Sequence, residues 1–219
     1  MPAALRPALL AAALAATAAL PARADLLVNG SFDAAGPSFA GTGSYCYLGI
    51  GDYRECGSVP GWSGSFPLIA ANSGPWHNPS TNGGWTSAQG AVLAGLQNTS
   101  FLAQTLTLAG GTYTLTWLDS NRKNYGDGNS YQVQLDGQTL ATYTTARGDA
   151  WDANTLTFTA TAGQHTLRLQ GLRTSGDGTS FVDDLKLTQV AAQVPEPQSA
   201  ALVALGLGIV ALARRRRQV

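Results

Sequence analysis

Three tryptophans, Trp76, Trp85 and Trp151, stand outside any alternating apolar pattern and are the residues best suited to specific surface chemistry. An exposed indole offers a flat apolar face that stacks on the C–H face of a sugar ring. Planar amide and guanidinium groups complete such a site by forking onto hydroxyl pairs. Asn121, Arg122 and Asn124 supply those groups, within the polar, glycine-containing stretch Asp119–Tyr131 that joins two apolar segments. For any single Trp burial is the commoner fate. Trp62, after the Pro60-Gly61 turn, and Trp117, which alternates with threonines, read as core.

Groups for covalent or hydrolytic chemistry are sparse. The two histidines are His77, in Trp76-His77-Asn78-Pro79, and His165, which opens an apolar alternation and reads as structural. Neither has a metal-ligand partner at useful spacing, and there is no Gly-x-Ser-x-Gly elbow or phosphate loop. Asp52, Glu55, Asp149 and Asp152 could converge as a glycosidase pair, but read as solvated loop acids. The expectation is a protein that is not an enzyme.

The elements that must position these groups are strands. Tyr113, Leu115 and Trp117 alternate with Thr114 and Thr116; Tyr131, Val133 and Leu135 alternate with Gln132 and Gln134. Period-two alternation puts one face on a core and the other in water. Asp136-Gly137 is a hairpin signal, and Gly110-Gly111, Ala162-Gly163 and Gly176-Asp177-Gly178 mark further turns. The predicted strands are Leu26–Asn29, Ala91–Leu96, Leu102–Leu108, Thr112–Leu118, Tyr131–Leu135, Thr139–Thr144, Thr155–Thr159 with Thr166–Gly171, and Phe181–Val190. Closely spaced antiparallel strands without intervening helices predict an all-β sandwich. The stretch from Asn29 to Gly90, rich in Gly, Ser, Pro and Asn, reads as a long loop that is either functional or pinned by a staple.

The ends carry addresses rather than fold. Arg6, the Ala/Leu run from Pro7 to Leu20 and the small-x-small site Ala22-Arg23-Ala24 read as a signal peptide over residues 1–24, formed by a short helix and cut after Ala24. In an exported chain Cys46 and Cys56 read as a disulfide, a staple for the long Asn29–Gly90 stretch. The chain carries 13 basic and 13 acidic residues, but between Asp25 and Val194 there are seven of the former and twelve of the latter. Without a basic stripe to neutralise phosphates, nucleic acid is not an expected partner.

At the other end Val194-Pro195-Glu196-Pro197 precedes Ser199–Ala213, an uncharged apolar stretch, and then Arg214, Arg215, Arg216 and Arg217. The apolar stretch is short for a spanning helix, and the arginine block places the C-terminus in the cytoplasm. Residues 191–198 form a Pro-rich linker, and 199–219 a single transmembrane-type helix with its Arg cluster. In order and position these features resemble the PEP-CTERM sorting signal. That resemblance implies recognition by an exosortase-type membrane protease, transient anchoring in the inner membrane, and delivery to the surface or extracellular matrix of a Gram-negative bacterium.

Between the ends, residues 25–190 resemble the galactose-binding-like jelly rolls, which include many carbohydrate-binding modules. The matching segments are Leu27-Val28-Asn29-Gly30-Ser31-Phe32-Asp33, Pro60-Gly61-Trp62, Gln89–Leu96, Leu102–Leu106 with Gly111–Leu115, and Phe181–Leu187. The resemblance implies a jelly-roll sandwich and polysaccharide as the partner, with a structural scaffold that binds no sugar as the alternative. The candidate contacts Trp76, Trp85, Trp151, Asn121 and Arg122 come from their side-chain chemistry, since binding residues vary within the family. It also implies a structural calcium where first and last strands meet, at Asp33 and Asp183 with Asp184 a substitute.

Overall fold

The computed structural model describes residues 24–34, 45–49, 51, 54–70, 76, 90–122, 126–148 and 150–191. The signal peptide to Arg23, Trp85, Asn124 and the whole sorting tail lie outside the described residues.

Ten strands and no helix make up the described chain: β1 (Tyr45–Leu48), β2 (Ser63–Ala70), β3 (Val92–Gln97), β4 (Phe101–Leu108), β5 (Gly111–Asn121), β6 (Ser130–Leu135), β7 (Gln138–Thr144), β8 (Asp152–Ala160), β9 (Gly163–Gly171) and β10 (Thr179–Gln189). Every ladder between them is antiparallel. They run in the order β7-β6-β9-β4-β2-β3-β10-β5-β8, with β1 added on β2. The path folds into two layers because β2 serves both. Its Ser63–Ser65 pair with β4, and its Leu68–Ala70 pair with β3. One layer is therefore β7-β6-β9-β4, and the other β1-β2-β3-β10-β5-β8. The result is the jelly-roll β-sandwich that the alternation and the resemblance predict.

The core fills the space between the layers. Tyr113, Leu115 and Trp117 of β5 and Val182 and Leu187 of β10 face Leu102 and Leu106 of β4, Tyr131 and Val133 of β6 and Leu167 and Leu169 of β9, all buried. The two layers also meet through a polar chain. The indole N–H of Trp117 donates to the Tyr131 hydroxyl at 2.7 Å, and that hydroxyl donates to Asp119 Oδ2 at 2.6 Å. Burial first, and then the Asp119 carboxylate, raise the Tyr131 phenol far above its ordinary value, so it remains a neutral donor.

Three sequence expectations change. The Asn29–Gly90 stretch contains β1 and β2. The strand signal of β2 is masked by Gly64 and Pro67, which central strands avoid. Here both have a place. Phe66 and Pro67 pair with neither β3 nor β4 where β2 passes between layers, so the missing Pro N–H costs no bond to them. Gly64 has φ +138°, and a Cβ there would meet the Phe101 carbonyl oxygen at 2.2 Å. Secondly, Leu26–Asn29 forms no ladder. It is laced to β10 and β4 by single bonds: Leu26 N donates to Leu187 O at 2.8 Å, and the Gln104 side-chain amide exchanges two bonds with the Val28 backbone. Gly30 lies against the Leu185 carbonyl so closely that a Cβ would come within 1.9 Å of it. Thirdly, Thr155–Thr159 and Thr166–Gly171, grouped together in the sequence reading, belong to separate strands, β8 and β9, which enter opposite layers.

His165 of β9 clamps the β6–β7 turn. Its Nδ1 lies 2.6 Å from Asp136 Oδ2 and its Nε2 3.0 Å from the Thr161 carbonyl, while Asp136 Oδ1 accepts from Thr166 N. Two acceptors favour the imidazolium: the Asp136 bond, then the Thr161 bond, raise the His165 pKa above its ordinary 6.5. A raised folded value means that the clamp contributes fully below 6.5 and is lost as pH rises through the raised value. The denaturant midpoint should therefore fall as pH rises through that window. His165→Gln should flatten the dependence, and an equally steep wild-type-like slope in the variant would refute the clamp.

Candidate functional site

On β2, β3 and β10 the alternate residues Ile69, Leu93 and Phe181 point away from the main core and form a second buried cluster with Trp76. The outer face of this layer is thus apolar as well, which a half-solvated sheet would not require. Aromatic rings cover it. Tyr45, Tyr47 and Trp151 are half-buried against the cluster. The ring centroids of Tyr45 and Tyr47 lie 5.7 and 6.2 Å from that of Trp76. These tyrosines are displayed because β1 reads Tyr-Cys-Tyr: Cys46 turns inward, and Tyr45 and Tyr47 turn outward. The disulfide Cys46–Cys56 forms as expected, with both cysteines buried. It fixes this four-residue strand. Around the loop, Glu55 accepts bonds from the Gly49 and Gly51 amides, both at 2.6 Å.

A polar chain crosses the same face. The Arg122 guanidinium lies 4.5 Å from the Trp76 ring and donates to Asp177 Oδ2 at 2.9 Å. Asp177 Oδ1 accepts from Gln97 Nε2 at 3.1 Å, and Gln97 Oε1 accepts from the Tyr47 hydroxyl at 3.2 Å. Desolvation raises the Tyr47 pKa, with Tyr45 adding to the shift. Tyr47 thus remains a neutral phenol.

The chain ends at a cleft of about 300 Å³ lined by Tyr47, Ser65, Phe66, Pro67, Gln97, Thr99, Ser100 and Phe101. The cleft exists because β3 and β4, joined by the turn at Asn98–Ser100, part into different layers just where β2 crosses between them. Its lining is uncharged, with three aromatic residues, Tyr47, Phe66 and Phe101, and several neutral hydrogen-bonding groups. The Ser100 hydroxyl is buried there without a hydrogen-bond partner, as is the Trp76 indole N–H nearby. A cleft of this make-up can hold a hydroxyl-rich, uncharged ring by stacking and hydrogen bonds.

The residues singled out in the sequence are distributed unevenly. Trp76 and Arg122 come together, but both are buried, and each covers the other's binding face. Asn121 is fully buried, and its Nδ2 donates to Thr145 Oγ1 at 2.9 Å and to the Thr179 carbonyl at 2.6 Å, so it braces β5 against β10. Trp151 joins the outer face. Sequence reasoning missed Tyr45, Tyr47, Gln97, Ser100 and Phe101. The Tyr-Cys-Tyr alternation was the available signal for the first two.

The carboxylates expected to hold calcium are engaged differently. Asp33 Oδ1 accepts from Ala91 N at 2.7 Å and Val92 N at 3.2 Å. Buried Asp183 accepts from Asp184 N at 2.7 Å at a bulge in β10, and Asp184 pairs with Lys186. A calcium ion needs six to eight oxygens. Among the described residues no group of three His, Cys, Asp or Glu side chains could hold a metal. In the structure Asp33 acts as a staple between the N-terminal segment and β3. Asp33→Ala should cost on the order of 1 kcal/mol, equally with calcium and with chelator. A melting temperature of the wild type that drops on chelation would restore the metal.

Comparison with known proteins places the two parts of the chain differently. No curated protein matches it. Among solved structures, the CBM22-1 xylan-binding domain of Paenibacillus barcinonensis Xyn10C is similar at 11% identity and TM-score 0.47, over 80% of this chain and 99% of that one. TmCBM61, solved in complex with beta-1,4-galactotriose, is similar at 16% identity and TM-score 0.46, over 76% of this chain and 99% of that one. A family 35 carbohydrate binding module from Clostridium thermocellum is similar at 15% identity and TM-score 0.37, over 56% and 91%. At the C-terminus, residues 193–217 match the PEP-CTERM protein-sorting motif, which marks an exported, surface-sorted substrate of exosortase processing.

Proposed function

We propose that the protein is a non-catalytic component of the bacterial surface or matrix that associates with extracellular polysaccharide through the outer aromatic face and its adjoining cleft. The observation that carries this reading is the half-exposed pair Tyr47 and Trp151 on a face that continues into an uncharged cleft containing an unpartnered Ser100 hydroxyl. The sorting motif supports it by delivering the domain, residues 25–190 after processing, to where such polymers are. No carboxylate lines the cleft. The paired acids that glycoside hydrolysis uses are therefore not among its lining groups. Trp85, in the segment between β2 and β3, is a further candidate contact. The Gram-negative host and the transient membrane anchoring belong to the same proposal.

One stacked ring contributes about 0.5–1.5 kcal/mol beyond its buried area. A single sugar unit should bind weakly, and retention should come from repeated contacts along a polymer. In gels containing the host's own polysaccharide the exported protein should be retarded. Tyr47→Ala and Trp151→Ala should each weaken the interaction by about two- to tenfold. Absence of retardation by every host polysaccharide would sink the reading, and reducing ends accumulating with time would make the protein an enzyme.

A further inference from the structure

Among the described residues, three strands have a neighbour on one side only: β1, β7 and β8. Open edges present unpaired N–H and C=O groups and are usually blunted by shortness, bulges, proline or lysine. Two of the three are protected in that way. β1 has four residues and runs into the disulfide loop, where Tyr47 already bridges to Glu55. The ladder of β7 on β6 is broken by a register shift between Val133 and Gln134, which bends and twists that edge.

β8 has none of these devices. It runs for nine residues, Asp-Ala-Asn-Thr-Leu-Thr-Phe-Thr-Ala, with neither proline nor lysine. Its single charge, Asp152, is at one end. Its register on β5 continues without a shift from Gly111↔Ala160 to Asp119↔Asp152, so its outer row of backbone groups is regular. Its side chains still alternate: Phe158 is buried, Leu156 is half-buried, and Thr155, Thr157 and Thr159 are exposed. Such an edge is a template for another strand of like character.

We propose that β8 is a self-association edge, and that two copies of this chain pair β8 to β8, antiparallel, about a two-fold axis at Leu156. The strand is complementary to itself in that register. Leu156 meets Leu156, Asn154 meets Phe158 on the core side, and Thr155 meets Thr157 on the solvent side. Threonine pairs and apolar pairs of this kind stabilise adjacent strands. Asp152 lies opposite Ala160, so no like charges oppose one another. The contact is isologous and closes at a dimer. It continues the β1-β2-β3-β10-β5-β8 layer into the second copy and leaves the aromatic face and cleft of both copies open. A surface protein paired in this way presents two binding faces to one polymer, which raises retention by avidity. The pairing itself is independent of sugar binding.

Sedimentation velocity of the exported, oxidised protein over a concentration series tests it. The wild type should shift from monomer to dimer as concentration rises. Thr155→Lys with Thr157→Lys sets like charges against each other across the axis and should leave only monomer, with a near-native melting temperature because both side chains are exposed. Thr142→Lys, on the β7 edge, should dimerise like the wild type. A wild type that stays monomeric throughout, a doubly substituted β8 variant that still dimerises, or a Thr142→Lys variant that does not, each overturns the proposal. Retardation in polysaccharide gels by a strictly monomeric wild type would overturn the pairing while leaving the sugar-binding reading intact.

Discussion

Tyr131→Phe should destabilise the protein by about 2–4 kcal/mol, far more than loss of one hydroxyl at a surface. The Tyr131 hydroxyl lies between the layers and serves two buried groups, accepting from Trp117 Nε1 and donating to Asp119 Oδ2. Removing it takes a partner from a buried indole N–H and from a buried carboxylate at once. Each loss costs about 1–3 kcal/mol when water cannot replace the partner. The ring remains, with its stacked contact to Tyr143 at 5.6 Å, so the change isolates the hydrogen bonds from the packing. Urea denaturation measures it. A loss below about 1 kcal/mol would mean that water reaches Asp119, and that the polar chain between the layers contributes little.

Reducing the Cys46–Cys56 bond should cost about 2–3 kcal/mol, chiefly by releasing the unfolded chain from a loop of ten residues. The consequence reaches the site. Among the described residues β1 forms a ladder with β2 alone, over Tyr45 to Leu48, besides the single bridge from Tyr47 to Glu55, and its two tyrosines flank the cysteine that anchors it. Without the bond, Tyr45 and Tyr47 lose the constraint that holds them over Trp76, and the Tyr47–Gln97 bond at the cleft loosens. The Cys46→Ser, Cys56→Ser variant should therefore show a lower denaturant midpoint and weaker retardation in polysaccharide gels. A variant as stable as the wild type would show that the β1–β2 ladder suffices alone.

Much of the sandwich is legible in the sequence wherever one face of a strand is wet. Tyr113, Leu115 and Trp117 alternate with threonines, and Asp136-Gly137 turns the β6–β7 hairpin with both residues at positive φ, 52° and 79°. Legibility fails where a strand is covered on both faces or belongs to two layers. β2 hides behind Gly64 and Pro67, whose reason is the crossing between β3 and β4. The candidate site follows the same division. Residue type correctly marks Arg122 and Trp76 as a planar cation and a flat ring, but what they face depends on Asp177, a partner 55 residues away from Arg122. Local sequence cannot show that the two satisfy each other. The cleft is similarly non-local: it is a gap between diverging strands, and its lining comes from β1, β2 and the β3–β4 turn.

Backbone amide shifts of the exported protein titrated with oligosaccharides from the host's polysaccharide test the central claim most directly. The account predicts perturbations concentrated at Tyr47, Gln97, Thr99, Ser100 and Phe101 and extending to Trp151, with no product formed over time. Perturbations confined to the β6–β7 and β8–β9 turns, or none at any attainable concentration, would contradict it.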